Sequence, residues 1–354
     1  MAVPSLITKI VRKLTENEFV ELVANKDFKF DVERVHKRRL SDVYLVSISF
    51  SGGATKRVCI KVVKCDREND SLFDVNKKKL IHEYESHLLS YNDFDHSSQF
   101  CVVKPLAVYP DDLVFVSEAF DDSTTLEDMI TKALFFGGSD SVGELETLMY
   151  SCGVLLNKYH SINVKNIGDL QGTLDTLKEY ILVRIDLIYA FFNKKQKGYS
   201  LSRGLGFYQQ QFSKVKVDPD AGEGELVIIH GDFTPANVLY DGNTLALIDF
   251  SESAEALRYV DVGGFVNYLD MLPLNKPFFS SRKVASLKAA FIEGYCAGSN
   301  INHLLVEFYQ FRYFSTNMLT QIYEMEGSRL KRLVLHRRIR RYMEMLEGKD
   351  FWQK

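Results

Sequence analysis

In the stretch HGDFTPANVLYDGNTLALIDF, residues 230–250, three side chains stand out by type and spacing: Asp232, Asn237 five residues on, and Asp249 twelve further. A carboxylate able to accept a hydroxyl proton, followed five residues later by an amide oxygen for a divalent cation, has the spacing of a loop that handles phosphoryl groups. Asp249 then occupies the place of a carboxylate that bridges nucleotide phosphates through the metal. That chemistry asks for these residue types because the transferred group is highly charged, so cations and an aligned nucleophile supply most of what a protein can offer. Each of the three alone is an ordinary turn former around Pro235 or at a loop. In this order and at these intervals they read as a set.

The elements around them must hold the set together. An apolar run, Leu226–Ile229, leads into the first cluster, and short runs of strand composition flank Asp241-Gly242, a strong hairpin signal. The polar residues therefore sit at strand ends, and the hairpin returns Asp249 to the side of Asn237.

The chain has 354 residues, 46% of them hydrophobic, which is enough to bury a large core and makes two lobes the first expectation. With 44 basic against 47 acidic residues the formal charge is −3, so no global signature of a nucleic-acid binder is present and any anion site must be local. Five cysteines, at 59, 65, 101, 152 and 296, form no Cys-x-x-Cys pair and leave an odd count. That argues against a zinc cluster and against a secreted disulfide framework, and fits a reducing compartment. No apolar run reaches membrane-span length and the N-terminus lacks the apolar core of a signal peptide, so a cytoplasmic location is expected.

The character of the sequence changes near residue 120. Residues 5–25 read as two short helices, the second started by a capping box at Thr15-Glu-Asn-Glu18. Strands are expected at 43–50 and 57–63 around Ser51-Gly-Gly53, a helix at 77–91, and strands at 101–109 and 113–118. Beyond Asp121 helices are expected at 124–135, 144–160, 172–193 and 199–214, and again from about 283 to 347, with loop breaks at 137–143 and 218–224. The expected division is a strand-rich N-terminal lobe, 1–120, and a helical C-terminal lobe, 121–354.

These motifs resemble the aminoglycoside phosphotransferase and choline kinase family, which shares the protein-kinase-like fold. His-Gly-Asp-x-x-x-x-Asn at 230–237 followed by Ile-Asp-Phe at 248–250 is similar to that family's signature. Leu155–Ile162 is similar to the helix end that precedes it, and Asp261 resembles the Asp that follows shortly after the metal site. The order of elements extends the resemblance over residues 30–300 or so. It implies an α+β bilobal fold with an antiparallel N-terminal sheet and a mainly helical C-terminal lobe. ATP and Mg²⁺ are the implied cofactors, with Asp232 as catalytic base and Asn237 and Asp249 as metal ligands.

Upstream residues extend the reading. Val58-Cys-Ile-Lys61 keeps the form of the strand whose Lys binds the α- and β-phosphates. Its acidic partner belongs on the next helix, where Glu85, followed by Leu88 and Leu89, fits the pattern better than Glu83. Ser117-Glu-Ala-Phe120 resembles the hinge whose main-chain groups, at Glu118 and Phe120, bind adenine. The loop that covers phosphates in the family is here Lys37-Arg-Arg-Leu-Ser-Asp42, without glycine. Its backbone has less freedom to approach phosphates, which shifts the expected contacts to Ser41 or to Arg38 and Arg39.

Between Ser251 and Asp261 there is no Ala-Pro-Glu segment of the kind that ends a protein-kinase activation loop. Helices from Gly168 to Gly224 instead separate the Tyr-His-Ser helix end from the catalytic loop, as in small-molecule kinases. The leading expectation is phosphotransfer from ATP to a hydroxyl of a small metabolite: a sugar, an amino alcohol or an antibiotic. A protein or lipid kinase of atypical type and a nucleotide-binding pseudokinase acting by association are the alternatives. The basic segment 329–341 favours a neutral or anionic acceptor over a polycation, while Asp175, Glu179, Asp186 and Asp270 speak for the polycation. No nucleic-acid partner is expected, and the sequence does not define the oligomeric state.

Overall fold

The computed structural model describes residues 4–22, 28–65, 70–136, 139–162, 165–166, 170–195, 205–216, 225–276, 278–297 and 301–324. In chain order the first elements are α1 (Ser5–Asn17), β1 (Phe28–Lys37), β2 (Ser41–Phe50), β3 (Thr55–Val63), α2 (Asp70–Asp93), β4 (Phe100–Val102), β5 (Pro105–Tyr109) and β6 (Val114–Glu118). There follow β7 (Thr124–Thr125), α3 (Leu126–Phe136), α4 (Ser139–His160), β8 (Lys165–Asn166), α5 (Leu170–Lys195) and α6 (Leu205–Phe212). The rest are β9 (Glu225–Ile229), β10 (Val238–Tyr240), β11 (Leu245–Leu247), β12 (Ala254–Leu257), α7 (Tyr259–Asn275), α8 (Ser281–Cys296) and α9 (His303–Glu324).

Two compact units result, Met1–Leu126 with Ala236–Ala254, and Glu127–Pro235 with Glu255–Lys354. The first is built on a sheet of order β1-β2-β3-β6-β5, antiparallel at every pairing. Strand alternation gives its two faces different work. Val46, Ile48, Val58, Ile60, Val114 and Val116 form a core with Ile7, Ile10, Val11 and Leu14 of α1. The i, i+3, i+4, i+7 spacing of the α1 residues makes one apolar stripe, and each such side chain contributes about 1.5–3 kcal/mol on burial. The intervening residues Val43, Leu45, Cys59 and Lys61 occupy the opposite face, since Val43 pairs with Lys61 and Leu45 with Cys59.

A second, smaller sheet in this unit has the order β4-β11-β10-β7. Its β10–β11 hairpin turns at Asp241-Gly242, where Asp241 Oδ1 accepts the N–H groups of Asn243 and Thr244 at 2.8 Å and Gly242 has φ of 102°. Glycine is the residue that takes this left-handed conformation without strain.

Local expectations fail in four places: the loop break expected at 137–143 falls largely within α4, which begins at Ser139, and three others follow. The capping box at Thr15 does not start a second helix: Thr15 Oγ1 donates back to the Arg12 carbonyl at 2.8 Å, α1 runs on to Asn17, and among the described residues up to Leu22 a 3₁₀ turn, Val20–Leu22, follows. The single strand expected at 101–109 is split between sheets, β4 pairing in parallel with β11 and β5 with β6. Pro105 opens β5, a strand position where its missing N–H is tolerated. Finally, Tyr259–Asn275 forms α7, a helix not among those expected.

The second unit is mainly helical, with a small sheet of order β12-β9-β8. Helices α4 and α8 cross with almost no space between their backbones. A Cβ on Gly153 would clash with the Phe291 carbonyl oxygen, and one on Gly294 with that of Tyr150. Helices α7 and α9 approach similarly, since a Cβ on Gly263 would lie 2.6 Å from Tyr309 Cβ. Phe233, Phe265 and Phe291 pack their rings in the core of this unit, with Phe265 and Phe291 stacked at 4.1 Å. Among the described residues no helix is long and apolar enough to cross a membrane. The basic segment 329–341 and the expected loop break at 218–224 lie outside the described residues.

Candidate active site

In the first unit, Lys61 on β3 meets one carboxylate from α2 and one from the segment after β11. Lys61 Nζ donates to Glu83 Oε1 at 2.8 Å and to Asp249 Oδ1 at 3.1 Å. Burial opposes charge on both members of the inner pair. It pulls the Lys61 ammonium pKa down, but the carboxylates of Glu83 and Asp249 outweigh it and leave the pKa raised. Burial, with Asp249 adding to it, holds the Glu83 carboxyl above its ordinary value despite Lys61.

The carboxylate beside Lys61 therefore comes from Glu83 and not from the expected Glu85. Along α2 the buried residues are Leu80, Glu83, His87 and Ser90, a helical stripe at intervals of three and four. Glu83 lies on that stripe at 4% exposure. Glu85, about 200° further around the helix, is exposed.

Asp249 follows β11 and has φ of 67°, an uncommon value for a residue with a Cβ. The next residue anchors it. Phe250 is fully buried with its ring 4.7 Å from that of His87, and His87 Nε2 lies 2.7 Å from the Val103 carbonyl oxygen. Asn237 immediately precedes the opposing strand, β10: Val238 pairs with Leu247, and the Ile248 N–H donates to the Asn237 carbonyl at 3.2 Å. The hairpin thus brings Asn237 and Asp249 to the same end.

The hinge stretch is held by main-chain and hydroxyl hydrogen bonds. The Glu118 N–H donates to Lys104 and the Ala119 N–H to Arg57, while the carbonyls of Glu118 and Phe120 accept the hydroxyls of Ser117 and Ser123 at 3.0 and 2.7 Å. Each carbonyl keeps a second lone pair. The glycine-free loop is a tight hairpin turn in which the Arg38 N–H donates to the Ser41 carbonyl at 2.9 Å. Ser41 is buried at its base.

In the second unit Asp232 lines a cavity of about 360 Å³ whose wall also includes Glu127, Asn267, Tyr268, Lys276 and Tyr313. This volume is at the lower end of the range for small-molecule sites. The wall's charges are partly committed. Tyr268 donates to Glu127 Oε1 at 2.6 Å, and Lys276 Nζ donates to Thr131 Oγ1 at 3.0 Å. Burial, with Asp261 and Asp232 nearby, pushes the Tyr313 phenol pKa up and keeps it a hydroxyl. Gly264 lies against this ring, and a Cβ there would meet Tyr313 Cε2 at 3.0 Å.

The approach to Asp232 is held from behind. Asp261, on the first turn of α7, accepts the His230 N–H on Oδ2 at 2.7 Å and the Gly231 N–H on Oδ1 at 2.9 Å. Its Oδ2 also lies 3.0 Å from His160 Nε2, and His160 Nδ1 lies 2.8 Å from the Tyr295 hydroxyl. Burial lowers the His160 pKa in spite of Asp261. A neutral ring then donates from Nε2 and accepts the Tyr295 proton on Nδ1. Gly231, with φ of 81°, permits the turn between the two anchored amides.

Of the residues singled out in the sequence, Lys61 and Asp249 are in direct contact and Asn237 shares their hairpin end. Ser41 is on the Lys61 face of the sheet, Glu118 ends β6 with Phe120 two residues beyond it, and Asp232 belongs to the cavity of the second unit. Sequence reasoning passed over His160, Lys276 and Tyr313. Only His160 carried a signal, its place in the Tyr-His-Ser helix end.

Residues 136–301 match the model of the Phosphotransferase enzyme family, which bears out the family resemblance over the segment from the last residue of α3 to just past α8. Solved structures add the fold. The choline kinase from Cryptosporidium parvum Iowa II aligns with a TM-score of 0.51 at 14% identity, covering 96% of this chain and 97% of that chain. A glucosamine kinase aligns with a TM-score of 0.51 at 10% identity, covering 90% and 92%. At such identities the likeness is one of fold, α+β and kinase-like, with the antiparallel sheet in the N-terminal region and the helices in the C-terminal region. No curated protein matches the sequence.

Proposed function

We propose that this chain is an ATP-dependent phosphotransferase that moves the γ-phosphoryl group to a hydroxyl of a small metabolite. The observation that carries the reading is the cavity opening on Asp232 in a segment matched by the phosphotransferase family model. Asp232 is the group positioned to orient the acceptor hydroxyl and take its proton. Lys61, fixed by Glu83, binds the nucleotide phosphates, and the main chain at Glu118 and Phe120 receives adenine. Asn237 and Asp249 are the oxygen donors that suit Mg²⁺, a hard cation. When bound, that ion would neutralise charge on the β- and γ-phosphates.

The acceptor is neutral or anionic in this reading. Lys276 is a cationic wall residue with no carboxylate partner among the described residues, while of the wall carboxylates Glu127 takes the Tyr268 hydroxyl and Asp261 takes the His230 and Gly231 N–H groups. Two carboxylates that spoke for a polycation are in use: Asp270 binds Lys288 at 3.1 Å and Asp175 binds Lys178 at 2.8 Å. None of Asp175, Glu179, Asp186 and Asp270 lines the cavity. The five free cysteines accord with a reducing, cytoplasmic setting.

The test is a screen of sugars, polyols, hydroxy acids, amino alcohols and aminoglycosides with γ-labelled ATP and Mg²⁺. Label transfer to a neutral or anionic member, abolished in Asp232→Asn, supports the proposal. Mg·ATP binding without transfer to any member overturns it in favour of a pseudokinase. Turnover restricted to kanamycin-like polycations refutes the acceptor class.

A further inference from the structure

The glycine-free hairpin between β1 and β2 carries three residues, Arg38, Arg39 and Ser41, among which the sequence left the phosphate contacts open, and its register singles out Arg38. The register of the pair, Lys37 with Asp42 and Val43 with His36, extends by one rung through the Arg38 N–H and the Ser41 carbonyl. Directly opposed residues share a face of an antiparallel pair, so Arg38 is on the face of Ser41. Ser41 opposes Val63 and Val43 opposes Lys61 on β3, which puts Arg38, Ser41 and Lys61 on one side of the sheet.

The hairpin is tied down on its other side. Lys64 and Asp42 form an ion pair at 2.8 Å, Lys64 Nζ donates to the Arg38 carbonyl at 2.6 Å, and the Lys64 N–H donates to the Leu40 carbonyl at 2.9 Å. These bonds consume the carbonyls of the turn and leave the Arg38 guanidinium exposed, without an ion pair among the described residues. Two strand spacings and two residues along the strand separate Arg38 from Lys61, roughly 12 Å between Cα atoms. Two long cationic side chains can close that distance around a polyphosphate.

A thiol on the same face, Cys59, lies two residues beyond Lys61 along β3. Burial pushes the Cys59 pKa up to about 11, and Lys61 and Arg38 both act against that rise. Both cations are therefore near the same patch of the face. A glycine-rich loop would reach phosphates with its main-chain N–H groups. This loop is too constrained for that, and a guanidinium offers instead a planar fork matched to phosphate oxygens.

We propose that Arg38 is a ligand of the nucleotide polyphosphate, held over the Lys61 face by a hairpin pinned through Lys64. The inference rests on the phosphotransferase reading, and the test separates the two. Calorimetry would compare Mg·ATP and adenosine binding to the full chain and to its Arg38→Gln and Lys37→Gln variants. Lys37 lies on the opposite face of the same hairpin and controls for the loss of one positive charge. Arg38→Gln should weaken Mg·ATP on the order of tenfold, the value of one charge-assisted contact, with adenosine affinity and the Lys37→Gln variant unchanged. Wild-type binding of Mg·ATP that Arg38→Gln retains in full overturns the role of Arg38 alone. Equal losses in both variants also overturn it, since they mark general charge and not a contact. A wild-type chain that binds no Mg·ATP sinks the nucleotide reading and this proposal with it.

Discussion

His160 and Asp261 share a buried hydrogen bond of 3.0 Å, and the same carboxylate receives the two main-chain N–H groups that lead into Asp232. The end of α4, the start of α7 and the loop before Asp232 are thus joined at one side chain. Loss of that carboxylate would leave two N–H donors, that of His230 buried and that of Gly231 partly so, without their acceptor.

The arrangement sets a pH dependence. Burial depresses the His160 pKa in the folded state from the ordinary 6.5, so the unfolded chain binds a proton that the folded chain refuses. Stability from this group is intact above about pH 6.5 and declines as pH falls from there toward the folded pKa. Denaturant titrations between pH 8 and 5 should show that decline, and His160→Gln should flatten it. A slope identical in both proteins would refute the assignment.

Asp232→Asn tests the chemistry. The substitution keeps the side-chain shape but removes the proton acceptor, so turnover on an identified acceptor should fall about 10²-fold or more. Mg·ATP affinity and melting temperature should remain at wild-type values. Full activity in the variant would show that Asp232 is not the base.

Glu83 and Glu85 make a matched pair two residues apart. Glu83→Gln removes the buried charge at 2.8 Å from Lys61 and should lower turnover on the order of tenfold or more. Glu85→Gln changes an exposed site and should shift stability by less than about 0.5 kcal/mol, with activity unchanged. The reverse ranking would restore Glu85 as the partner.

The α4–α8 crossing predicts intolerance to one methyl group. Gly153→Ala places a Cβ against the Phe291 carbonyl and should cost about 1–3 kcal/mol, as overpacking of a core does. Gly52→Ala, with open space around it, serves as the control. Equal melting temperatures for the two variants would contradict the close approach.

What the sequence revealed was local in the chain. The intervals between Asp232, Asn237 and Asp249 and the hairpin signal at Asp241-Gly242 lie within twenty residues, and the family resemblance drew on them. The Glu83 partner was missed because a charge pattern along α2 does not say which side of the helix is covered; that depends on β3 and on the ring of Phe115 against His87. The break at Pro105 came from the competition of two sheets for one apolar run. The cavity was illegible for a similar reason, being assembled from the start of α3, the loop after β9, α7 and α9. Tyr313 and Lys276 carry no mark in the sequence that sets them apart from other aromatic and basic residues.

Gly264 gives the cavity an adjustable gauge. Because its missing Cβ is what lets the Tyr313 ring lie against α7, a single methyl at this position would displace the ring by a few tenths of an ångström and change the cross-section offered to an acceptor. Neither Asp232 nor the anchored amides of His230 and Gly231 need move. Discrimination among acceptors of different girth can therefore drift at residue 264 while the reactive groups stay as they are, which makes this glycine a natural point of divergence between chains that share the same chemistry.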